Sequence, residues 1–227
     1  MYKRQAKDIA MPVMPCLDGF VLSHTSAKVD LIGEEEAYEF VGDYSDPIIE
    51  IDINDPWAYG SIEMPEPYNK DRRDLMAAME RAKQRIKDVN KEFEERFGRS
   101  YGNGLVEQYG DDEADLTIVT LGTIGDESEE AIERLRTEGL KVNGIRLRTF
   151  RPFPDEDIVK MANNTGKILV IDRAVSFGHE GITRIEIEST LKRFGIDTPV
   201  TNRIMGLGGE DVPYTRIMKA AKEELKK

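Results

Sequence analysis

Apolar positions follow two rhythms along the chain, and the change falls near Asp115. Beyond it, short β-branched runs alternate with amphipathic stretches. Leu116–Leu121 is a compact apolar run closed by Gly122, which suits a buried strand. Glu129–Glu138 places Ala131, Ile132 and Leu135 on one helical face, with Gly139 as the stop. Val142–Phe150 alternates as a second strand, ended by Pro152 and Pro154. Asp155 is predicted to cap a short helix carrying Ile158, Val159, Met161 and Ala162. Lys167–Asp172 reads as a third strand and Val200–Met205 as a fourth. Between them a glycine-bearing loop, Ser176–Gly181, opens a helix with Ile182, Ile185, Leu191 and Phe194, ended by Gly195. Leu207–Gly209 turns, and a lysine-rich helix from about Pro213 follows. Strands alternating with helices predict an α/β, doubly wound, mostly parallel sheet over 115–227.

The first 114 residues do not close in the same way. Met11–Leu22 is an apolar run broken by Pro12, Pro15 and Asp18-Gly19, predicted to be a buried strand with its loop. Glu34–Pro67 is acidic and proline-rich and reads as a surface connection. From about Asp71 to Phe97, Leu75, Met79, Ala82, Ile86, Val89, Phe93 and Phe97 recur every three or four residues, the stripe of a long amphipathic helix stopped by Gly98. One strand and one helix cannot bury each other over that length, so this half reads as a piece of a larger domain.

Composition narrows the field. Of 227 residues, 39% are hydrophobic and 33% charged, too mixed for disorder, and no apolar stretch reaches the roughly 18 residues of a membrane span. Lys plus Arg is 32 against 44 for Asp plus Glu, a net charge of -12 without a basic stripe, which argues against nucleic acid as a partner. With one cysteine, Cys16, the chain forms no internal disulfide and no multi-thiolate cluster of its own. No apolar leader opens the sequence, and a cytoplasmic location is expected.

Candidate chemistry is sparse. No Gly-x-Gly-x-x-Gly is present; Gly122-Thr-Ile-Gly125 has only two of the glycines, and no Walker lysine follows any glycine loop. His24 and His179 lie too far apart in sequence for a helical metal pair, and no metal site is expected. Gly125-Asp126 with Asn163-Asn164 is a decoy of the thiamine diphosphate signature, because Glu127 replaces the glycine needed for close approach of metal and diphosphate. The best local candidate is Ser176, Phe177, Gly178, His179, Glu180 and Gly181, which follows the carboxyl end of a strand and opens a helix, where anions bind. Glu180 opposes that use, with Arg173 upstream expected to pair with it, so a tight turn or a subunit contact is the plainer reading. His24 has a proton-transfer reading at a strand end, with Asp18 orienting it or capping a turn, beside a structural one. Cys16 reads as a small core residue. Arg146, Arg148 and Arg151 form a period-two basic row suited to a solvated strand face, an acidic partner or a coenzyme phosphate.

Several strings then point to a family. Pro12-Val-Met-Pro-Cys-Leu-Asp-Gly-Phe-Val-Leu-Ser-His-Thr25 resembles the distal part of the first domain of the alpha subunit of pyruvate:ferredoxin oxidoreductase. Ala82–Tyr101 with Phe97-Gly-Arg99, Leu105-Val-Glu107, Arg148–Pro154, Ile171-Asp-Arg-Ala-Val-Ser-Phe-Gly-His-Glu-Gly181 and Gly206-Leu-Gly-Gly-Glu-Asp211 are similar in the same order. The likeness runs from about Ala6; the opening Met-Tyr-Lys-Arg-Gln5 does not resemble the family.

The resemblance implies residues 1–68 as a remnant of a pyrimidine-side thiamine-enzyme domain with a surface connection. It places a long helix and linker at 69–114 and a transketolase C-terminal-like domain at 115–227. It implies a 2-oxoacid:ferredoxin oxidoreductase that turns a 2-oxoacid and coenzyme A into acyl-coenzyme A and carbon dioxide, with electrons passed to ferredoxin. Thiamine diphosphate with magnesium would serve the assembled enzyme, iron–sulfur clusters would lie on other chains, and beta-, gamma- and delta-type subunits would be partners. The family's Tyr-Pro-Ile-Thr-Pro motif and activating glutamate are not in this sequence, so no catalytic residue carries over. The chain reads as a truncated C-terminal portion acting as scaffold and subunit interface, binding no cofactor by itself. A branched-chain 2-oxoacid enzyme and a free-standing nucleotide-binding module are the alternatives.

Overall fold

The computed structural model describes residues 2–42, 52–56, 60, 62–111 and 113–227. The chain passes through α1 (Tyr2–Ile9), the single turn α2 (Val21–His24), α3 (Glu34–Val41) and α4 (Pro65–Phe97). It continues as β1 (Val106–Tyr109), β2 (Leu116–Leu121), α5 (Ile124–Thr137), β3 (Val142–Leu147), α6 (Asp155–Asn163), β4 (Ile168–Asp172), α7 (Ile182–Arg193), β5 (Val200–Ile204) and α8 (Tyr214–Leu225). These elements form two compact units, one of residues 1–15 and 28–100, the other of 16–27 and 101–227. The grouping cuts across boundaries at 68 and 114, because 16–27 joins the sheet unit and α4 groups with α1 and α3.

In the first unit, α4 packs with α1, and α1 with α3. Phe40 is buried and meets the Phe93 and Phe97 rings edge-on at 5.5 and 5.4 Å, an arrangement aromatic quadrupoles favour. Arg4 donates to the Phe40 carbonyl at 2.9 Å and pairs with Glu92, while Arg85 reaches Asp8 and Glu92. The expected surface connection at 34–67 is thus helical where it begins. Glu34, Glu35 and Glu36 sit in the first turn of α3, where the helix dipole favours them. The rest of that stretch includes 43–51, 57–59 and 61, which lie outside the described residues.

Helix α4 starts at Pro65 rather than Asp71, since proline fits the first helical turn. Its stripe is buried only from Ala78 onward; Leu75 remains 41% exposed. The predicted strand at 11–22 is absent. Met14 and Leu17 are each 85% exposed and Cys16 is exposed, not core. Pro12 and Pro15 withhold ladder donors, and Asp18-Gly19 turns the chain before a strand can extend.

The second unit is a five-stranded sheet of order β1-β3-β2-β4-β5, parallel except for β1. Leu116 pairs with Val142, Thr117 with Ile168 and Ile168 with Val200, so the parallel strands start nearly level. Helices α5 and α8 cover one face and α6 and α7 the other. On the α5/α8 face, Leu116, Ile118, Leu169 and Ile171 meet Ile132, Leu135 and Ile217, each worth roughly 1.5–3 kcal/mol of burial. The edge strand β1 was not foreseen, because Val106-Glu-Gln-Tyr109 is too short and polar to announce itself; its pairing with β3 creates it. Helix α5 begins at Ile124, five residues before the predicted start, and β3 ends at Leu147. Asp155 is the first residue of α6, with Pro154 in the cap position. Its carboxylate accepts from Thr190 at 3.0 Å and pairs with Arg193 at 2.5 Å.

Candidate functional site

The connections of a doubly wound sheet diverge where its order reverses, and ligands bind such sheets outside the carboxyl ends of the strands at that point. Here β2 is followed through α5 by β3 on one side, while β4 and β5 lie on the other. The reversal therefore falls between β2 and β4. Thr123, just beyond β2, and Arg173, just beyond β4, face the crevice. Arg173 Nη1 lies 2.9 Å from Thr123 Oγ1, and both donate to one oxygen of Asp18. Asp18 stands 105 residues from Thr123 and 155 from Arg173 in sequence. The Asp18 and Arg173 side chains are mostly buried, so this charge-assisted pair is little screened by water.

Strand alternation sends Asp172 to the other side from Arg173. Asp172 is buried and accepts the amides of Thr183 at 2.9 Å and Arg184 at 3.2 Å, with Asn202 Nδ2 at 2.9 Å. The positive end of the α7 dipole thus already faces a carboxylate of the chain itself. Gly181, where α7 begins, is required by the same contact: a Cβ there would stand 2.0 Å from Asp172 Oδ2. Its own amide donates to Asn202 Oδ1 at 3.1 Å.

Residues 176–181 form a tight turn between Val175 and Gly181, which bridge. His179 N donates to the Ser176 carbonyl and Ser176 N to that of Glu180, both at 2.9 Å. Gly178 takes the positive φ of +80° that the turn requires, leaving Phe177 94% exposed at its tip. Glu180 pairs with Arg184, one helical turn on, and not with Arg173 as expected, because Arg173 points into the crevice toward Asp18.

Asp18 and Arg173 are therefore brought together in the crevice, Ser176–Gly181 form a separate turn, and His24 joins neither. His24 lies exposed on α2, stacked on Phe20 at 5.4 Å with Nδ1 2.8 Å from Ser23 Oγ, so Asp18 does not orient it. The basic row is tied up within the unit: Arg146 and Arg148 approach Glu107 at 3.8 and 3.4 Å, Arg146 also reaches Asp126 at 2.7 Å, and Arg151 pairs with Glu186. Burial, first, pulls the Arg146 pKa down, but Asp126 and Tyr109 outweigh it and the value is raised. Sequence reasoning missed Thr123, Asp172 and Asn202. Thr123 was in principle findable as the residue after a strand-ending glycine at a sheet reversal, whereas Asp172 and Asn202 carry no local signal.

No group of three or more His, Cys, Asp or Glu side chains among the described residues is arranged to hold a metal. Gly125-Asp126-Glu127 lies inside α5 with Asp126 committed to Arg146, and Asn164 follows α6, so these residues do not fit a metal–diphosphate group.

The geometry defines a doubly wound α/β unit whose strand-order reversal holds the Asp18–Arg173 pair, and a helical unit. The family model for pyruvate:ferredoxin oxidoreductase core domain II matches residues 114–217. That for the thiamine diphosphate-binding domain of pyruvate flavodoxin/ferredoxin oxidoreductases matches 3–91. The match begins within the opening pentapeptide, where Gln5 is buried on α1, so that segment is not foreign to the family. The chain is 41% identical to pyruvate synthase subunit PorA of Methanocaldococcus jannaschii, over 91% of this chain and 52% of that protein. It is 38% identical to ketoisovalerate oxidoreductase subunit VorA of Pyrococcus abyssi, over 98% of this chain and 56% of that one. Against PorA of Thermotoga maritima the identity is 33%, over 96% and 55%. The chain spans about half the length of these relatives. It belongs to the alpha subunits of the 2-oxoacid:ferredoxin oxidoreductase family.

Proposed function

We propose that this chain is the scaffold and subunit-interface portion of the alpha subunit of a thiamine diphosphate-dependent pyruvate:ferredoxin oxidoreductase. The assembled enzyme converts pyruvate and coenzyme A to acetyl-coenzyme A and carbon dioxide and passes two electrons through iron–sulfur clusters to ferredoxin. Thiamine diphosphate with magnesium and the clusters are held with beta-, gamma- and delta-type subunits. In this reading the chain positions neighbouring subunits and contributes no reacting group.

One observation carries the scaffold reading. In the arrangement described, the crevice where a doubly wound sheet takes its ligand is filled by the chain's own Asp18 on Arg173, and the adjoining helix start is satisfied by Asp172. That arrangement also argues against the nucleotide-module alternative, since a phosphate at α7 would meet a buried carboxylate. Phe177 and His179, presented outward by the 176–181 turn, serve this reading as a subunit contact.

The test is co-expression of the tagged chain with the thiamine-site and cluster-bearing subunits of its source. Co-purification is expected, with the chain by itself inactive. Failure to co-purify overturns the reading. If the subunits assemble and the complex reduces ferredoxin faster with 3-methyl-2-oxobutanoate than with pyruvate, the branched-chain assignment replaces the pyruvate one. That alternative rests on the VorA likeness.

A further inference from the structure

The contact that fills the crevice has the chemistry of a ligand and its receptor. One oxygen of Asp18 takes both the Arg173 Nη1 and Thr123 Oγ1 bonds. Arg173 makes its hydrogen bonds through Nη1 only, so its Nε–H and Nη2 donors have no hydrogen-bond partner among the described residues. A guanidinium offers five donors in a planar fork matched to oxyanions, and most of that fork is unspent here. The site stands at the reversal of strand order, the place where open α/β sheets take their ligands.

The segment that brings Asp18 is lightly held. Helix α2 has no buried residue, and Leu17, Phe20 and Leu22 are largely exposed. The Phe20 ring lies over Gly209, where an added Cβ would stand 3.1 Å from it. Phe20 itself has φ +59° and ψ -66°, a backbone conformation costly to a side chain with a Cβ. The segment thus reaches the sheet through the Asp18 carboxylate and the Phe20 ring.

We propose that Arg173 and Thr123 form an oxyanion-binding site, that Asp18 occupies it as an intramolecular ligand, and that a free carboxylate or phosphate displaces Asp18 and releases residues 16–27. The strap and the free anion compete for the same donors, so occupancy of the site by one excludes the other. The balance is set by the effective concentration of the tethered carboxylate, of order millimolar for a short flexible tether.

The experiment uses the full chain at constant ionic strength maintained with chloride. Inorganic phosphate and acetate are titrated calorimetrically into the native protein, Asp18→Ala, Arg173→Met and the Asp18→Ala/Arg173→Met double variant. Removing Asp18 is expected to tighten anion binding measurably, since the tethered competitor is gone. Removing Arg173 is expected to abolish it in either background. Binding of both anions assigns a generic oxyanion site, and binding of phosphate alone assigns a phosphate ester as the natural ligand. Equal affinity in the native and Asp18→Ala proteins, or binding that survives loss of Arg173, means an adventitious ion only and overturns the proposal.

A second measurement needs no variant. Chymotrypsin cleavage at Phe20 and Leu22 of the native protein should accelerate at saturating phosphate and not in matched chloride. Unchanged cleavage overturns release of the strap.

Discussion

The carboxylate of Asp172, the last residue of β4, accepts the backbone amide of Thr183 at 2.9 Å, closing the first turn of α7 from eleven residues upstream. A strand end thereby caps the helix that follows it, with the 176–181 turn looped out between them. Replacing Asp172 with Ala leaves the Thr183 and Arg184 amides and the Asn202 side chain without their shared acceptor. Hydrogen bonds to a charged group are worth about 1.5–3 kcal/mol each, partly recovered by water, so a loss of about 2–4 kcal/mol is expected. Urea denaturation monitored by circular dichroism measures it.

Gly181→Ala tests the same contact from the other side. The added methyl would collide with the Asp172 carboxylate, which packing prevents from moving, and overpacking of this kind costs about 1–3 kcal/mol. Gly178→Ala, with open space around it, meets only the backbone penalty of a positive φ, about 1–2 kcal/mol. Combining Gly181→Ala with Asp172→Ala should cost less than the sum of the two single changes, since each disturbs one shared contact. Strict additivity would show that the two residues act separately.

Acid sensitivity should centre on Glu224. This α8 carboxylate is 0% exposed, and Arg203 and Lys227 stand 2.5 and 2.9 Å from it. Burial, the largest influence, raises its pKa. The Lys227 hydrogen bond and the charges of Arg203, Lys227 and Lys167 outweigh that, so the folded value lies below the ordinary 4.5. The ionised form is therefore favoured by folding. Its contribution is complete above about pH 4.5 and is lost as pH falls through the folded pKa. Glu224→Gln should be less stable than the native chain at pH 7, with the gap narrowing in acid. Denaturant melts from pH 7 to pH 3 give the comparison, and parallel pH curves would contradict it.

In the helical unit, Phe40→Ala should cost about 3–5 kcal/mol, because it empties the space among Phe93, Phe97 and the Arg4 guanidinium. Leu75→Ala, on the exposed early turns of α4, should stay within about 0.5 kcal/mol. Hydrogen exchange over 34–41 should speed up in the first variant and not in the second.

Much of the sheet unit was legible in the sequence because its signals are local. Leu116–Leu121 and Ile168–Asp172 are apolar over lengths that only buried strands use, and Gly139 and Gly195 mark where helices stop. The stripe of α4 announced a helix by its period, and the strings running from Pro12 to Asp211 marked the family. What those patterns do not contain is the partner of each face. Leu75 and Ala82 lie on the same stripe, yet only Ala82 is buried, and side chains of α1 and α3 meet α4 at Arg85, Glu92, Phe93 and Phe97, toward its later turns. Strand β1 exists through its pairing with β3, and Phe40 became core through two rings far along the chain.

The site divides in the same way. Sequence alone determined that a glycine-bearing turn would link β4 to α7 and that Arg173 and Asp18 carry charge worth explaining. Which charges meet was decided by tertiary structure, since a hydrogen bond between residues 155 apart depends on where the strands stop and which way their last side chains point. Arg173 could have paired with nearby Glu180; the alternation that buries Asp172 beneath α7 turned it into the crevice instead, toward Asp18.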